Sequence, residues 1–185
     1  MKPIFCLLSI LTGSFFAGGC ATHAPIRTAP KVDLNRFMGD WYVIGGVLTP
    51  FEKNAYNPVE SYALNEDGTI ATTFRFNKGS FDGPVKKYHP KGFIRDSSSN
   101  AIWGMQFIWP IKADYRIVYL DPNYSQTIVG RNRRDFAWIM ARSPNISEAS
   151  YQDMVEILVA EGYPREKIRK APQSTTDPSA NEASD

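Results

Sequence analysis

From Trp41 to Arg142 the chain alternates short apolar and β-branched runs with clusters of turn-forming residues, and nothing in that stretch carries helical periodicity. Such a pattern allows strands on short connections and little else. Turn clusters fall at Glu66-Asp67-Gly68, Asn77 to Gly83, Asp96 to Asn100, Pro110 to Ala113, Asp121 to Asn123 and Arg131 to Arg134. The first run opens at Trp41 and reaches about Leu48, and Thr49 to Pro58, with two prolines and two asparagines, reads as a long irregular loop. Eight strands joined this way predict an all-β, antiparallel, up-and-down β-barrel; on pattern alone, two sheets packed as a sandwich are the rival.

Helices flank this region. Asp33 can cap a short N-terminal helical turn that places Leu34, Phe37 and Met38 on one side. After the last strand, Ser147 can cap a helix in which Tyr151, Met154, Val155, Leu158 and Val159 recur at spacings of three and four, stopped by Gly162 and Pro164. A helix with one apolar face must lie against something, and the outer wall of the barrel is the available surface.

The ends of the chain point to the cell envelope. Met1-Lys2 precedes an apolar stretch, Ile4 to Phe16, that is too short to span a membrane, so residues 1–19 read as a removed signal peptide. Ala17-Gly18-Gly19 ahead of Cys20 resembles the lipobox of bacterial lipoproteins, which implies acylation of Cys20. The same small residues also suit ordinary secretory cleavage, which would leave Cys20 a free thiol. With Cys6 inside the signal, the mature chain has one cysteine and no internal disulfide. Ala21, where an aspartate would retain a lipoprotein in the inner membrane, implies the outer membrane, on its periplasmic face. Residues 20–31 read as lipidated cysteine and tether, 32–170 as the domain and 171–185 as a disordered Ser/Thr/Pro/Ala-rich tail.

The chemistry of catalysis is missing from the sequence. His23 lies in the tether and His89 stands alone, no metal-ligand spacing occurs, and there is neither a nucleophile elbow nor a phosphate-cradling glycine loop. The expectation is a protein that is not an enzyme and needs no metal or cofactor. A formal charge of +2, with Arg131, Arg133 and Arg134 as the only tight basic cluster, does not indicate nucleic acid as a partner.

Three motifs in one order, Gly39-Asp40-Trp41-Tyr42, Asp121-Pro122-Asn123-Tyr124 and Trp138-Ile139-Met140-Ala141-Arg142 followed by a helix, resemble the lipocalin family. The middle motif and Ser143 to Ser147 look most like its bacterial outer-membrane lipoprotein branch. The resemblance implies that Gly39, Trp41, Asp121, Tyr124 and Arg142 are structural, with Arg142 packed over Trp41 to seal the narrow end. Stepping back by two from Arg142 then puts Met140, Trp138 and Phe136 on the inner face and leaves Ala137, Ile139 and Ala141 for the helix.

The same parity along the other strands gives a candidate ligand lining: Tyr62, Phe74, Phe76, Trp103, Met105, Phe107, Tyr115, Ile117, Trp138 and Met140. Against this stands the reading that these rings simply fill the barrel as core, most strongly for those nearest Trp41 and Arg142. Lys53, Lys78, Lys86, Lys87 and Lys112 could meet a carboxylate or phosphate near the open end, and Gly45 and Gly46 either leave room or bend the first strand. The family implies the cargo: fatty acids, lysophospholipids or similar apolar molecules, with the membrane reached through the lipid anchor and a homodimer left open. The alternatives are a barrel enzyme acting on a lipid or isoprenoid, and a filled, non-binding structural lipoprotein of the envelope.

Overall fold

The structure, a computed structural model, describes residues 24–174. A short helix α1 (Leu34–Phe37) leads into nine strands: β1 (Gly39–Val47), β2 (Ala55–Leu64), β3 (Ile70–Lys78), β4 (Val85–Tyr88), β5 (Lys91–Ile94), β6 (Ile102–Ile108), β7 (Ile111–Leu120), β8 (Gln126–Gly130) and β9 (Ala137–Ala141). Helix α2 (Glu148–Ala160), a 3₁₀ turn (Arg165–Lys167) and a two-residue strand β10 (Arg169–Lys170) complete the elements among the described residues. All the pairings are antiparallel, and β9 returns to β1, so the sheet closes into a barrel of eight strand positions.

The fourth position is filled by two strands. β4 and β5 both pair with β3, interrupted at His89 and Pro90, and Pro90 has no N–H to give to a ladder. β5 continues the wall to β6 with Lys91 opposite Gln106, while β4 has β3 as its only ladder partner among the described residues. The wall is therefore unzipped between β4 and β6 at one end of the barrel. That end also carries the β1–β2 loop, the β3–β4 turn and the β6–β7 turn, and is the mouth. The opposite end is closed by α1 and by the residues leading into it.

α2 starts as expected: the Ser147 side chain accepts from the Ser150 N–H. Its buried residues Tyr151, Met154, Val155 and Leu158 pack with Ala137, Ile139 and Ala141 of β9 in one apolar cluster outside the wall. Trp138 and Met140 join a separate cluster inside the barrel. The alternation of β9 thus has the orientation that the sequence implied, and the apolar face of the wall is the inner one. Phe136 lies before the start of β9, and its ring sits 5.5 Å from the Arg131 guanidinium.

Three segments depart from expectation. β2 begins at Ala55, inside the stretch read as loop, because a bulge between Tyr56 and Val59 absorbs Pro58 and a left-handed Asn57 (φ 48°). Residues 24–31, read as tether, lie against the barrel: Ile26 and Ala29 are buried, the Ala29 N–H donates to the Ile117 carbonyl, and Arg27 pairs with Glu161. The first residues of the proposed disordered tail are also held. The β1–β2 ladder stops at Tyr42 opposite Val59, and beyond it Ala171, Pro172 and Gln173 bond to both strands. Gly45 admits this packing, since a Cβ there would stand 2.5 Å from the Arg169 carbonyl, and Gly46 admits the close approach of β9, where a Cβ would stand 2.0 Å from the Ala137 carbonyl. Signal residues 1–19, Cys20 and residues 175–185 lie outside the described residues.

Candidate functional site

The closed end fixes the barrel. The Arg142 guanidinium stands 3.8 Å over the Trp41 ring and donates to the carbonyls of Asp40, Arg36, Phe37 and Met38. Trp41 in turn donates through Nε1 to the Phe37 carbonyl at 2.8 Å. Gly39 is required beside this group: its φ is +92°, and a Cβ there would meet Arg142 Nη1 at 3.3 Å. Asp121 organises the neighbouring turn by accepting from the N–H groups of Asn123, Ser125 and Gln126. Partial burial works against ionisation there, yet those donors hold its carboxyl below the usual range. Tyr124 (φ 59°) accepts from the Asp33 N–H and carries Arg36 on its ring.

Above Trp41 comes a floor of packed rings. Phe37 lies 5.0 Å from Trp41 and 5.5 Å from Trp103, and Trp103 stacks on Tyr115 at 5.4 Å. Trp103 and Ile117 are 0% exposed and touch no space that a water could occupy. In this part of the barrel the rings close-pack as core, because eight tapering strands leave only enough interior for side chains. Tyr62, Phe74, Phe76, Met105, Tyr115 and Met140 are also buried on the inner side, and Trp138 is half-buried. Phe107 differs: a register shift after Met105 breaks the alternation, and its side chain is 60% exposed at the end of β6. It belongs to the mouth and not to the enclosed wall.

Two carboxylates that the lining set omitted stand inside this frame. Glu60 faces inward, since its cross-strand neighbours are Trp41 and Phe74. Its Oε2 is sealed from solvent and has no hydrogen-bond partner, while the residue as a whole keeps partial exposure. Burial above all, then the charge of Glu52, pushes its carboxyl from an ordinary 4.5 up to about 8; the Tyr62 hydroxyl acts in the opposite direction. Tyr62 and Tyr115 share a hydrogen bond of 2.5 Å, and burial followed by the Glu60 charge pushes both phenols well above their usual value. Glu52, in the mouth loop and 7% exposed, accepts from Trp138 Nε1 and from the Thr49 N–H, each at 2.7 Å. Parity would have found Glu60, which is two residues before Tyr62 on the same strand. Nothing in the sequence marks Glu52, whose place depends on how the loop folds back.

Around the mouth the surface is apolar and basic. Phe51, Ile108, Trp109 and Ile111 are 68–82% exposed, and Val85 and Tyr88 on β4 are about half exposed. All five lysines expected near the open end are exposed and lie at that end: Lys53 in the loop, Lys78 at the end of β3, Lys86 and Lys87 on β4, and Lys112 at the start of β7. Two shallow clefts, of about 400 and 300 Å³, flank Ser143 to Ser147 on the outer wall and touch none of these residues. Among the described residues no three His, Cys, Asp or Glu side chains converge as metal ligands.

Comparison with known proteins agrees with this architecture. Residues 32–173 match the model of the lipocalin-like domain. The chain is 34% identical to temperature-induced lipocalin-1 of Arabidopsis thaliana over 164 residues, covering 82% of this chain and 85% of the relative. It is 27% identical to the outer membrane lipoprotein Blc of Escherichia coli K12 over 162 residues, or 85% and 90% of the two chains. Among solved structures, insecticyanin of the tobacco hornworm Manduca sexta shares the fold with a TM-score of 0.65 at 12% identity, over 82% of this chain and 86% of that one. The matching domain spans most of the chain, from the residues that lead into α1 to the segment wedged between β1 and β2, and the chain belongs to the lipocalin family.

Proposed function

We propose that the protein is a lipid carrier of the cell envelope that holds a long-chain amphiphile, such as a fatty acid or lysophospholipid, in the mouth half of its barrel. The observation that carries this reading is the direction of the wall. Apolar and aromatic side chains point inward above a packed floor, and burying an acyl chain against them yields about 25 cal/mol per Å². An ordinary surface would not expose Ile108, Trp109 and Ile111 side by side at the tip of one hairpin. Next to exposed lysines these side chains suit contact with an anionic lipid surface, where cargo would enter and leave.

The anchor is part of the same proposal. Acylation of Cys20 would hold the domain on the periplasmic face of the outer membrane, a reading supported by the sequence around Cys20 and by the lipoprotein relatives. Binding and release require no bond to be made or broken, so the protein acts without catalysis or a cofactor. Tryptophan emission tests the reading, since Trp138 borders the lumen. Titrating the purified protein with oleate and with lysophosphatidylcholine should give a saturable change at one ligand per chain. Unchanged emission with both, together with failure of either lipid to co-elute, refutes it.

A further inference from the structure

The floor of the lumen carries a feature that a plain hydrophobic chamber does not need. Glu52, Trp138, Tyr115, Tyr62 and Glu60 form a connected arc: the Glu52 carboxylate on the Trp138 indole, Trp138 stacked at 6.2 Å on Tyr115, Tyr115 bonded to Tyr62, and Tyr62 beside Glu60. One carboxylate closes each end, and three aromatic rings lie between, of which Tyr115 stacks on Trp103 as well as on Trp138. We propose that this arc is a recognition site for a cationic group, an amine or quaternary ammonium, on the end of the amphiphile that enters the barrel.

Three observations carry it. Glu60 Oε2 is buried and unpartnered, so the apo protein bears the desolvation of that atom without a compensating bond. No lysine or arginine is among the groups that act on the Glu60 carboxyl, and the Arg142 guanidinium, which acts on Tyr62, is committed to the Trp41 ring and to four backbone carbonyls. Electron-rich rings of tyrosine and tryptophan attract cations through their faces, most strongly where water is excluded. A carboxylate head would meet two acids there and no base. The proposal rests on the carrier reading above and narrows its cargo to amphiphiles with a positively charged end.

The groups that act on Glu60 are Glu52 from the β1–β2 loop and Tyr62 from its own strand; Tyr115 of β7, bonded to Tyr62, also feels the Glu60 charge, and Arg142 acts on Tyr62, while the flanking Trp41 and Phe74 carry no charge. None of them supplies a cation at Glu60. A ligand ammonium must therefore bind the ionised carboxylate and expel its proton. For a group that titrates near pH 8, affinity for a permanently charged ammonium rises about tenfold from pH 7 to pH 9, whereas a ligand that accepts the Glu60 proton loses affinity over the same range.

The test is isothermal titration of the full protein with three amphiphiles of one chain length: dodecyltrimethylammonium, dodecanol and dodecanoate. The expected order has the ammonium tightest, with the rise in pH just given and release of close to one proton at pH 7. In Glu60→Gln the ammonium should weaken at least tenfold while dodecanol stays within twofold. If dodecanoate or dodecanol binds as well as the ammonium, or if ammonium affinity is flat in pH in the wild-type protein, the cation site is overturned and lipid carriage stands. If none of the three binds, both are overturned.

Discussion

Replacing Glu60 by glutamine should stabilise the protein at neutral pH by an amount that the carboxyl itself sets. In the folded chain burial raises its pKa from an ordinary 4.5 to about 8. Below pH 4.5 the carboxyl is protonated whether the chain is folded or not, and its ionisation costs nothing. Between pH 4.5 and 8 only the unfolded chain ionises, so stability falls by about 1.4 kcal/mol per pH unit. By pH 7 the loss reaches about 3 kcal/mol, and it levels off near 5 kcal/mol above pH 8. Glutamine has nearly the same shape and no charge, so Glu60→Gln should match the wild type at pH 4 and exceed it by about 3 kcal/mol at pH 7. In a domain of this size that corresponds to a rise of roughly 6–12 °C in Tm. Urea unfolding of both proteins at intervals from pH 4 to pH 9 measures the difference. A constant difference across that range, or none at pH 8, refutes the account of Glu60 as a buried acid without a counter-charge.

Other substitutions test the rest of the frame. Arg142→Ala should cost about 3 kcal/mol in urea unfolding, because it removes the contact with Trp41 and leaves carbonyls of α1 without donors; Arg142→Lys, which lacks the planar fork, should recover only part of that. Gly39→Ala should destabilise by about 1–2 kcal/mol through its positive φ and the approach to Arg142, measured the same way. Ile108→Ser with Trp109→Ser should leave the Tm nearly unchanged, since both side chains are largely exposed. The same pair should sharply reduce co-sedimentation with phosphatidylglycerol vesicles, and undiminished sedimentation would remove the rim from the account.

Much of the frame was legible because its signals are local or strictly periodic. The stripe of α2, its Ser147 cap, and the split of β9 into Trp138 and Met140 inside against Ala137, Ile139 and Ala141 outside follow from spacing once Arg142 is placed on Trp41. Long-range closure left weaker traces. Residues 24–31 dock through backbone bonds and the Arg27–Glu161 pair, and only Ile26 and Ala29 hint at burial in the sequence. The division at Pro90 follows from its missing N–H, but an isolated proline equally marks a turn. In the lumen, alternation identified the inward residues without revealing how tightly they pack: Trp103 and Ile117 are floor, and Phe107 escapes through a bulge that period two cannot anticipate. The most informative inner side chain, Glu60, was hidden by its charge, since a search for apolar alternation passes over a carboxylate at an inward position.

Native mass spectrometry of the protein as isolated, before and after delipidation, tests the central claim most directly. The carrier account predicts one lipid-sized mass per chain that leaves on delipidation and returns at one equivalent when lipid is added back. A chain that carries no added mass as isolated, and takes up none from fatty acids, lysophospholipids or cationic amphiphiles, would contradict it and leave a barrel that is filled by its own side chains.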